Sequence, residues 1–179
     1  MKRLDIQRLV LAAFFMAFGI VLPFVTMHIP EVGQLLSPMH LPVFLCGFIC
    51  GPIYGALVGL ILPLFRFVLF GMPPLFPTGI AMSFELAVYG SVSGLIYRMS
   101  SDCRLSDIYK ALISSMVLGR LVGGIVQVIL LGGNYSISMF VTAYFIKTLP
   151  GVVLQFVLIP LVIVALRKSP LIMDARMLL

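Results

Sequence analysis

Residues 65–90, FRFVLFGMPPLFPTGIAMSFELAVYG, place an arginine and a glutamate in two apolar runs that a Pro- and Gly-rich break separates. Arg66 is surrounded by phenylalanine, valine and leucine, and Glu85 lies between Phe84 and Leu86. Proline lacks a backbone donor and disfavours helix in the residue before it, so the break at 72–79 predicts a loop between two helices. Each of these helices would carry one charge inside an apolar segment.

The composition of the whole chain identifies its solvent. Of 179 residues, 61% are hydrophobic and 10% are charged, and the mean hydropathy is +1.19. A soluble domain has about 45–50% apolar and 25% charged residues. These proportions leave too few polar side chains to cover a surface in water. The chain is therefore predicted to be an integral membrane protein in the lipid bilayer.

The apolar runs predict an all-α fold with six transmembrane helices in one compact bundle that forms a single domain over 1–179. A spanning helix needs about 20 apolar residues. The run from Leu41 to Gly71 is too long for one helix, and Gly51-Pro52 supplies a turn that divides it. The predicted helices cover 9–28, 39–51, 53–71, 79–97, 108–131 and 140–167. We interpret the first as a retained helix, since its apolar run exceeds the 7–15 residues typical of a signal peptide.

The positive charges predict the orientation of this bundle. Nine of the 12 lysines and arginines fall before the first helix, around residues 98–110, or after the sixth helix. The intervening loops, at about 29–38, 72–78 and 132–139, contain no lysine or arginine. Because cytoplasmic loops carry the excess of basic residues, both termini are expected in the cytoplasm. The net charge of +6 is then a topology signal, and no nucleic-acid partner is expected.

Four charged residues fall inside the predicted spans: Arg66, Glu85, Arg120 and Lys147. Each charge near the middle of a membrane helix costs on the order of 2.5–3.5 kcal/mol. Arg66 and Lys147 could instead extend to the outer headgroups, or Arg66 could pair with Glu85. Three cations nevertheless outnumber one anion. An anionic ligand that enters from the outer side would complete the charge balance.

Helical spacing places further polar and aromatic residues beside these charges. Tyr89 lies one turn from Glu85, Gln127 two turns from Arg120, and Tyr144 one turn from Lys147. Such mixed faces suit the wall of a cavity, although ordinary helix packing produces the same spacing. We hypothesise a water-accessible pocket for a small carboxylate-bearing molecule.

Other motifs narrow the chemistry. The sequence has no phosphate-binding GxxxxGK[ST] loop, so this chain is not expected to hydrolyse ATP or to hold a cofactor. His28, Glu31 and His40 have no metal-ligand spacing and are expected to be exposed loop residues. Three small-residue motifs begin at Ala13, Gly55 and Gly90, each with its second small residue four positions later. These motifs allow close helix contacts, either inside the chain or, for Ala13 and Ala17, with a partner.

The residues also resemble a family. Six helices with cytoplasmic ends and the Ala13-x-x-x-Ala17 motif are similar to the substrate-binding S components of energy-coupling factor (ECF) vitamin transporters. The stretch 35–90 carries the most specific similarity, in a Pro-x-x-x-x-Gly-Phe run that leads into a Gly-Pro turn and a Gly-rich third helix. Within the family, this stretch looks most like the pantothenate S components.

The resemblance implies a function and its partners. An S component binds its vitamin near the outer face, docks through helix one on a transmembrane T component, and is driven by two ABC ATPases that consume ATP. A prokaryotic cell membrane is implied. Pantothenate would suit a net positive pocket, folate would suit it equally, and cobalamin or another vitamin is a further alternative. The implied substrate-binding residues are Arg66, Glu85, Tyr89, Arg120, Gln127, Asn134, Tyr135, Tyr144 and Lys147.

Within that site, Arg120 and Lys147 are expected to bind the carboxylate. Glu85 would orient a cation or accept a ligand hydroxyl, and Arg66 would form a further wall or a gate beside the 72–79 loop. Three other functions compete with this one. An intramembrane enzyme lacks a nucleophile with a base, a membrane scaffold would need no buried charge, and a secondary transporter would be expected to show inverted repeats.

Overall fold

The computed structural model describes residues 3–26, 38–100, 104–132 and 136–166. Its α-helices are α1 (Arg3–Val21), α2 (His40–Cys50), α3 (Pro52–Phe70), α4 (Ile80–Met99), α5 (Leu105–Leu131), α6 (Ile137–Val141) and α7 (Leu149–Leu166). A 3₁₀ turn, Leu22–Thr26, continues α1. A kinked turn, Leu75–Gly79, precedes α4, and a π-helical turn, Thr142–Ile146, precedes α7. All regular structure in these residues is helical, as the composition predicted.

Among the described residues, five helical segments are long and apolar enough to cross a membrane: Asp5–Phe24, Pro52–Phe70, Leu75–Met99, Leu105–Leu131 and Ser138–Leu166. The remaining predicted span, 39–51, corresponds to α2, which has only 11 residues. At 1.5 Å per residue it is about 16 Å long, roughly half of a bilayer core. The chain is a multi-pass membrane protein. The count of six spans and the cytoplasmic placement of both termini stay predictions.

Several predicted boundaries differ from the structure, and the start of the fifth helix shows a physical reason. The fifth helix was predicted to start at 108 and starts at Leu105, because the Asp107 carboxylate accepts a hydrogen bond from the Arg104 amide at 2.8 Å. A carboxylate in the first turn stabilises a helix N-terminus in this way. The predicted loop 72–79 separates α3 from α4, as the prolines and glycines predict. Its five-residue turn Leu75–Gly79 is not a continuous helix, because Phe76 has the extended angles φ −111° and ψ 132°.

The turn between α2 and α3 forms as the Gly-Pro pair predicts. Gly51 has a φ of 102°, which glycine adopts without strain, and Pro52 is the first residue of α3. The Arg98 guanidinium of α4 donates to the Cys50 carbonyl at 3.1 Å. We call this side of the bundle the Gly51 end. The opposite side, where α3 ends before Gly71, is the Gly71 end.

Glycines bring α4 into backbone contact with α2 and α3. A Cβ on Gly55 would lie 2.6 Å from the Gly90 carbonyl oxygen, and one on Gly94 would lie 2.5 Å from that of Gly47. A Cβ on Gly59 or Gly90 would overlap backbone atoms of the facing helix. We call these contacts the glycine seam. The motifs that begin at Gly55 and Gly90 therefore serve packing inside the chain, which confirms the predicted role in internal helix contacts.

The apolar core lies beside this seam. Its fully buried side chains come from α2, α3, α4, α5 and α7 and include Val43, Leu62, Leu86, Leu112 and Ile159. Cys46 and Cys50 are buried on α2, as expected of small hydrophobic side chains. Apolar residues on the outer faces of the helices are exposed, which suits contact with lipid. The packed helices thus leave α4 and α5 with a shared interior face for polar residues.

Candidate polar site between α4, α5 and α7

Glu85 and Tyr89 form the part of the site that lies on α4. They are four residues apart, so they share one face of the helix. The Tyr89 hydroxyl donates to Glu85 Oε1 at 2.5 Å, and both side chains are buried, with exposures of 1% for Tyr89 and 7% for Glu85. The Tyr89 ring stacks on Phe44 with centroids 5.0 Å apart. Packing and a hydrogen bond together fix this carboxylate.

Arg120 lies opposite, on α5. Its Nη2 atom donates to the Thr148 hydroxyl at 3.0 Å, and its guanidinium lies 5.2 Å from the centre of the Phe145 ring. The charge is close enough to interact with both Glu85 and Tyr89. In the described part of the chain Arg120 makes no direct ion pair with a carboxylate. Neutral groups position the guanidinium and leave donors for another acceptor.

Tyr144 and Gln127 complete the contact between α5 and the last span. The Tyr144 hydroxyl donates to Gln127 Oε1 at 3.0 Å, and the Tyr144 carbonyl accepts from the Thr148 hydroxyl at 2.6 Å. Gly123 of α5 faces both α4 and the last span. A Cβ there would be 3.1 Å from Glu85 Cβ and 3.1 Å from the Tyr144 hydroxyl. The absence of a side chain at Gly123 lets Glu85 and Tyr144 approach each other.

The π turn Thr142–Ile146 determines which side chains of the last span face this site. The Lys147 amide donates to the Thr142 carbonyl at 3.0 Å, five residues back. The wider turn places Tyr144 inside and leaves Lys147 exposed. Single π turns occur often at functional sites. Lys147 lines an open groove of about 340 Å³ with Ser138, Met139, Thr142 and Ala143.

Arg66 lies at the Gly71 end, with its own set of contacts. Only 4% of its surface is exposed, so its contacts lie inside the bundle. Nε donates to the Met72 carbonyl at 3.4 Å and Nη1 to the Ile20 carbonyl at 3.5 Å. Within the described residues it forms no ion pair with Glu85, whose hydrogen bond comes from Tyr89. The predicted alternative of an ion pair between Arg66 and Glu85 is therefore wrong.

The structure groups some of the predicted site residues and separates others. Glu85, Tyr89, Arg120, Gln127 and Tyr144 lie together, whereas Lys147 is exposed and lines the groove. Arg66 belongs to the Gly71 end. Asn134 and Tyr135 lie outside the described residues, as do His28 and Glu31. The single chamber expected for all buried charges is thus replaced by a polar cluster, an exposed groove that contains Lys147 and a separate arginine.

The sequence reading missed or misjudged several residues. His40 was expected to be an exposed loop residue and is buried at the start of α2, where its ring lies 5.5 Å from that of Tyr89. That expectation was wrong, because the helix starts at His40 itself. Thr148 and Phe145 were missed, although both neighbour Lys147 in sequence. In the described residues, His, Cys, Asp and Glu side chains form no group of three that could hold a metal.

The predicted partner-docking residues lie on α1. Ala13 and Ala17 are exposed, whereas Ala12 and Phe15 face the core. A small-residue face that is open at the surface of the bundle permits close approach of another helix. This arrangement is compatible with a docking role for Ala13 and Ala17, which stays a prediction.

Comparison with known proteins adds the family. The family model described as ECF transporter, substrate-specific component, matches residues 7–172. No curated protein and no solved structure matches the chain. The family match covers all the helices that form the polar site. The chain belongs to the substrate-specific components of ECF transporters, which are membrane subunits that bind the transported small molecule while partner subunits hydrolyse ATP.

Proposed function

We propose that this chain binds pantothenate, a small vitamin with one carboxylate, for import across a prokaryotic cell membrane. The ligand enters from the outer side, and its carboxylate binds Arg120, with Lys147 as a second cation. One observation carries the proposal: Arg120 is positioned by Thr148 and Phe145 and has no direct carboxylate partner among the described residues. An arginine held in this way can bind a carboxylate with two hydrogen bonds.

The charges around the site favour a monoanion. Arg120 and Lys147 supply two positive charges, and Glu85 supplies one negative charge. Arg66 lies elsewhere and does not enter this balance. The remaining single positive charge matches pantothenate, whereas folate carries a second carboxylate. A neutral vitamin would leave this positive charge without an anionic partner.

The size of the groove points in the same direction. Its volume of about 340 Å³ is at the lower end of the range of 300–1,000 Å³ for small-molecule sites. Ser138 and Thr142 place hydroxyl groups along it, and Tyr144 and Gln127 add polar groups nearby. These groups suit a ligand with hydroxyls and an amide.

Transport requires the partners that the family implies. We propose that the exposed Ala13 and Ala17 of α1 contact the T component and that two ABC ATPases supply the energy. Docking would then bring the inner side of the bundle into the transporter. The exposed alanines support this assignment because their small side chains leave room for a partner helix.

The test is binding of pantothenate to the purified protein in detergent, measured by isothermal titration calorimetry. Arg120→Met is expected to weaken binding by about tenfold or more, on the order of 1.4 kcal/mol. Lys110→Met is the matched control, since Lys110 is on the same helix and pairs with Asp107 at 3.5 Å. This control should bind as the native protein does.

A neutral analogue with an alcohol in place of the carboxylate separates charge recognition from the rest of the site. It should bind weakly, and Arg120→Met should not weaken it further. Unchanged pantothenate binding by Arg120→Met would remove Arg120 from the site. Mass spectrometry of small molecules that co-purify with the protein gives an independent check. A neutral vitamin found there would contradict the proposal.

A further inference from the structure

The Gly71 end of the bundle contains a buried arginine that the polar site does not use. We propose that Arg66 is a positioning residue that ties the end of α1 to segment 71–79, and so slows ligand release. The proposal of slower release rests on the proposed function, because it concerns the same ligand. The tie itself is a property of the ligand-free chain.

The contacts of Arg66 explain why its charge is tolerated there. Ile20 lies in the last turn of α1, and Met72 follows the end of α3. Carbonyls in the last turn of a helix lack partners within the helix, and the helix dipole gives that end a partial negative charge. Arg66 donates to one carbonyl at each of these two ends. One last-turn carbonyl of α1 and one carbonyl just beyond α3 thus stabilise the guanidinium.

Aromatic contacts extend the tie to the turn that follows α1. The Arg66 guanidinium lies 5.8 Å from the centre of the Phe70 ring. Phe70 in turn packs edge-to-face on Phe24, with centroids 5.0 Å apart. Phe24 belongs to the 3₁₀ turn Leu22–Thr26. Arg66 therefore holds both α1 and its continuation against the end of α3.

Segment 71–79 connects the tie to the polar site. The Gly79 amide donates to the Pro74 carbonyl at 2.8 Å, and the Ser83 hydroxyl donates to the Gly79 carbonyl at 2.9 Å. These bonds attach the segment to the first turns of α4, the helix that carries Glu85 and Tyr89. α1 also carries the exposed Ala13 and Ala17. Arg66 thus bridges the docking helix and the segment that leads into the binding helix.

The first test needs no ligand. Hydrogen–deuterium exchange is measured on the ligand-free protein, and Arg66→Met is expected to raise exchange about tenfold in residues 20–26 and 71–79. Arg98→Met is the matched control, because Arg98 also donates to a carbonyl at a helix end, Cys50, but at the Gly51 end. It should raise exchange near residues 50–52 and leave the Gly71 end unchanged. Unchanged exchange in both Gly71-end segments of Arg66→Met would overturn the tie.

The second test follows release of radiolabelled pantothenate. Arg66→Met is expected to speed dissociation by about tenfold with little change in the association rate, and Arg98→Met should leave both rates unchanged. Arg66→Lys keeps the charge and should fold even if Arg66→Met does not. A lysine can reach only one of the two carbonyls at a time, so the effect of Arg66→Lys should be smaller than that of Arg66→Met in both tests. If Arg66→Met slowed the association of pantothenate but not that of the neutral analogue, Arg66 would be a ligand contact and not a positioning residue. If the native protein binds no pantothenate, the proposed function fails, while the exchange experiment still decides the tie.

Discussion

The two faces of α4 are built in opposite ways. The face toward α2 and α3 is the glycine seam, where backbone contacts backbone and no Cβ fits at Gly90. The face that carries Glu85 and Tyr89 is held by side chains: the two bond to each other, the Tyr89 ring stacks on Phe44 of α2, and glycines of α5 make room for both. One helix thus joins a region with no free space to a region held together by polar side chains.

This difference shows how the protein can bind a ligand without losing its fold. Close-packed backbones cannot shift by a fraction of an ångström without overlap, so the glycine seam acts as a fixed scaffold. Side chains such as those of Arg120 and Tyr144 can exchange one hydrogen-bond partner for another. We therefore expect substitutions in the glycine seam to reduce stability, and substitutions in the polar cluster to reduce binding.

The largest effect is expected from Gly90→Ala. The added Cβ overlaps the Gly55 carbonyl, and both groups are backbone that cannot rotate away. Overpacking of this kind should lower the free energy of unfolding by about 3 kcal/mol. Thermal unfolding of the detergent-solubilised protein measures the change. It is followed by circular dichroism, because the chain has no tryptophan for fluorescence.

Gly19→Ala is the control for that substitution. Its Cβ would lie 2.5 Å from Leu62 Cδ2, which is the end of a flexible side chain. Leucine can adopt another rotamer, so this variant should lose much less stability. Equal losses in the two variants would show that the glycine seam is no more rigid than the contact between α1 and α3.

An intermediate effect is expected from Gly123→Ala. This is also a glycine-to-alanine change, but on α5, where α5 faces Glu85 of α4. Its Cβ would push against Glu85 and the Tyr144 hydroxyl at 3.1 Å, a distance that small side-chain shifts can relieve. Stability should change little, while pantothenate binding should weaken by about tenfold, on the order of 1.4 kcal/mol. Calorimetric titration and thermal unfolding of the same preparation separate the two quantities. A large loss of stability with native binding would contradict the distinction between the two faces.

The smallest effect is expected from Tyr144→Phe. The variant loses the hydroxyl that donates to Gln127 at 3.0 Å but keeps the ring packed on Phe140. A net hydrogen bond contributes about 1 kcal/mol, so binding should weaken by up to fivefold. Tyr109→Phe, on α5 but stacked on Phe156, is the control and should bind normally. Native affinity in Tyr144→Phe would place this hydroxyl outside the ligand contacts.

The sequence by itself determined the solvent, the helical class and most of the helix positions. An apolar run of about 20 residues has to satisfy its own backbone in lipid, so it can be read without tertiary information. The Gly51-Pro52 turn was equally local, because it depends on the φ of one residue and the ring of the next. Arg120 and Glu85 stood out for the same reason, since a charge in an apolar run is conspicuous at any depth.

Only the tertiary structure decided which of these charges share a site. Helical spacing fixed the faces of each helix but not their neighbours, so Arg66 was grouped with residues from which the fold separates it. The contacts of Thr148 with Arg120 and of His40 with Tyr89 join residues 28 and 49 positions apart. The π turn before α7 also changed the direction of Tyr144 and Lys147. Such outcomes depend on how whole helices pack, and packing is a property of the assembled chain that no local pattern encodes.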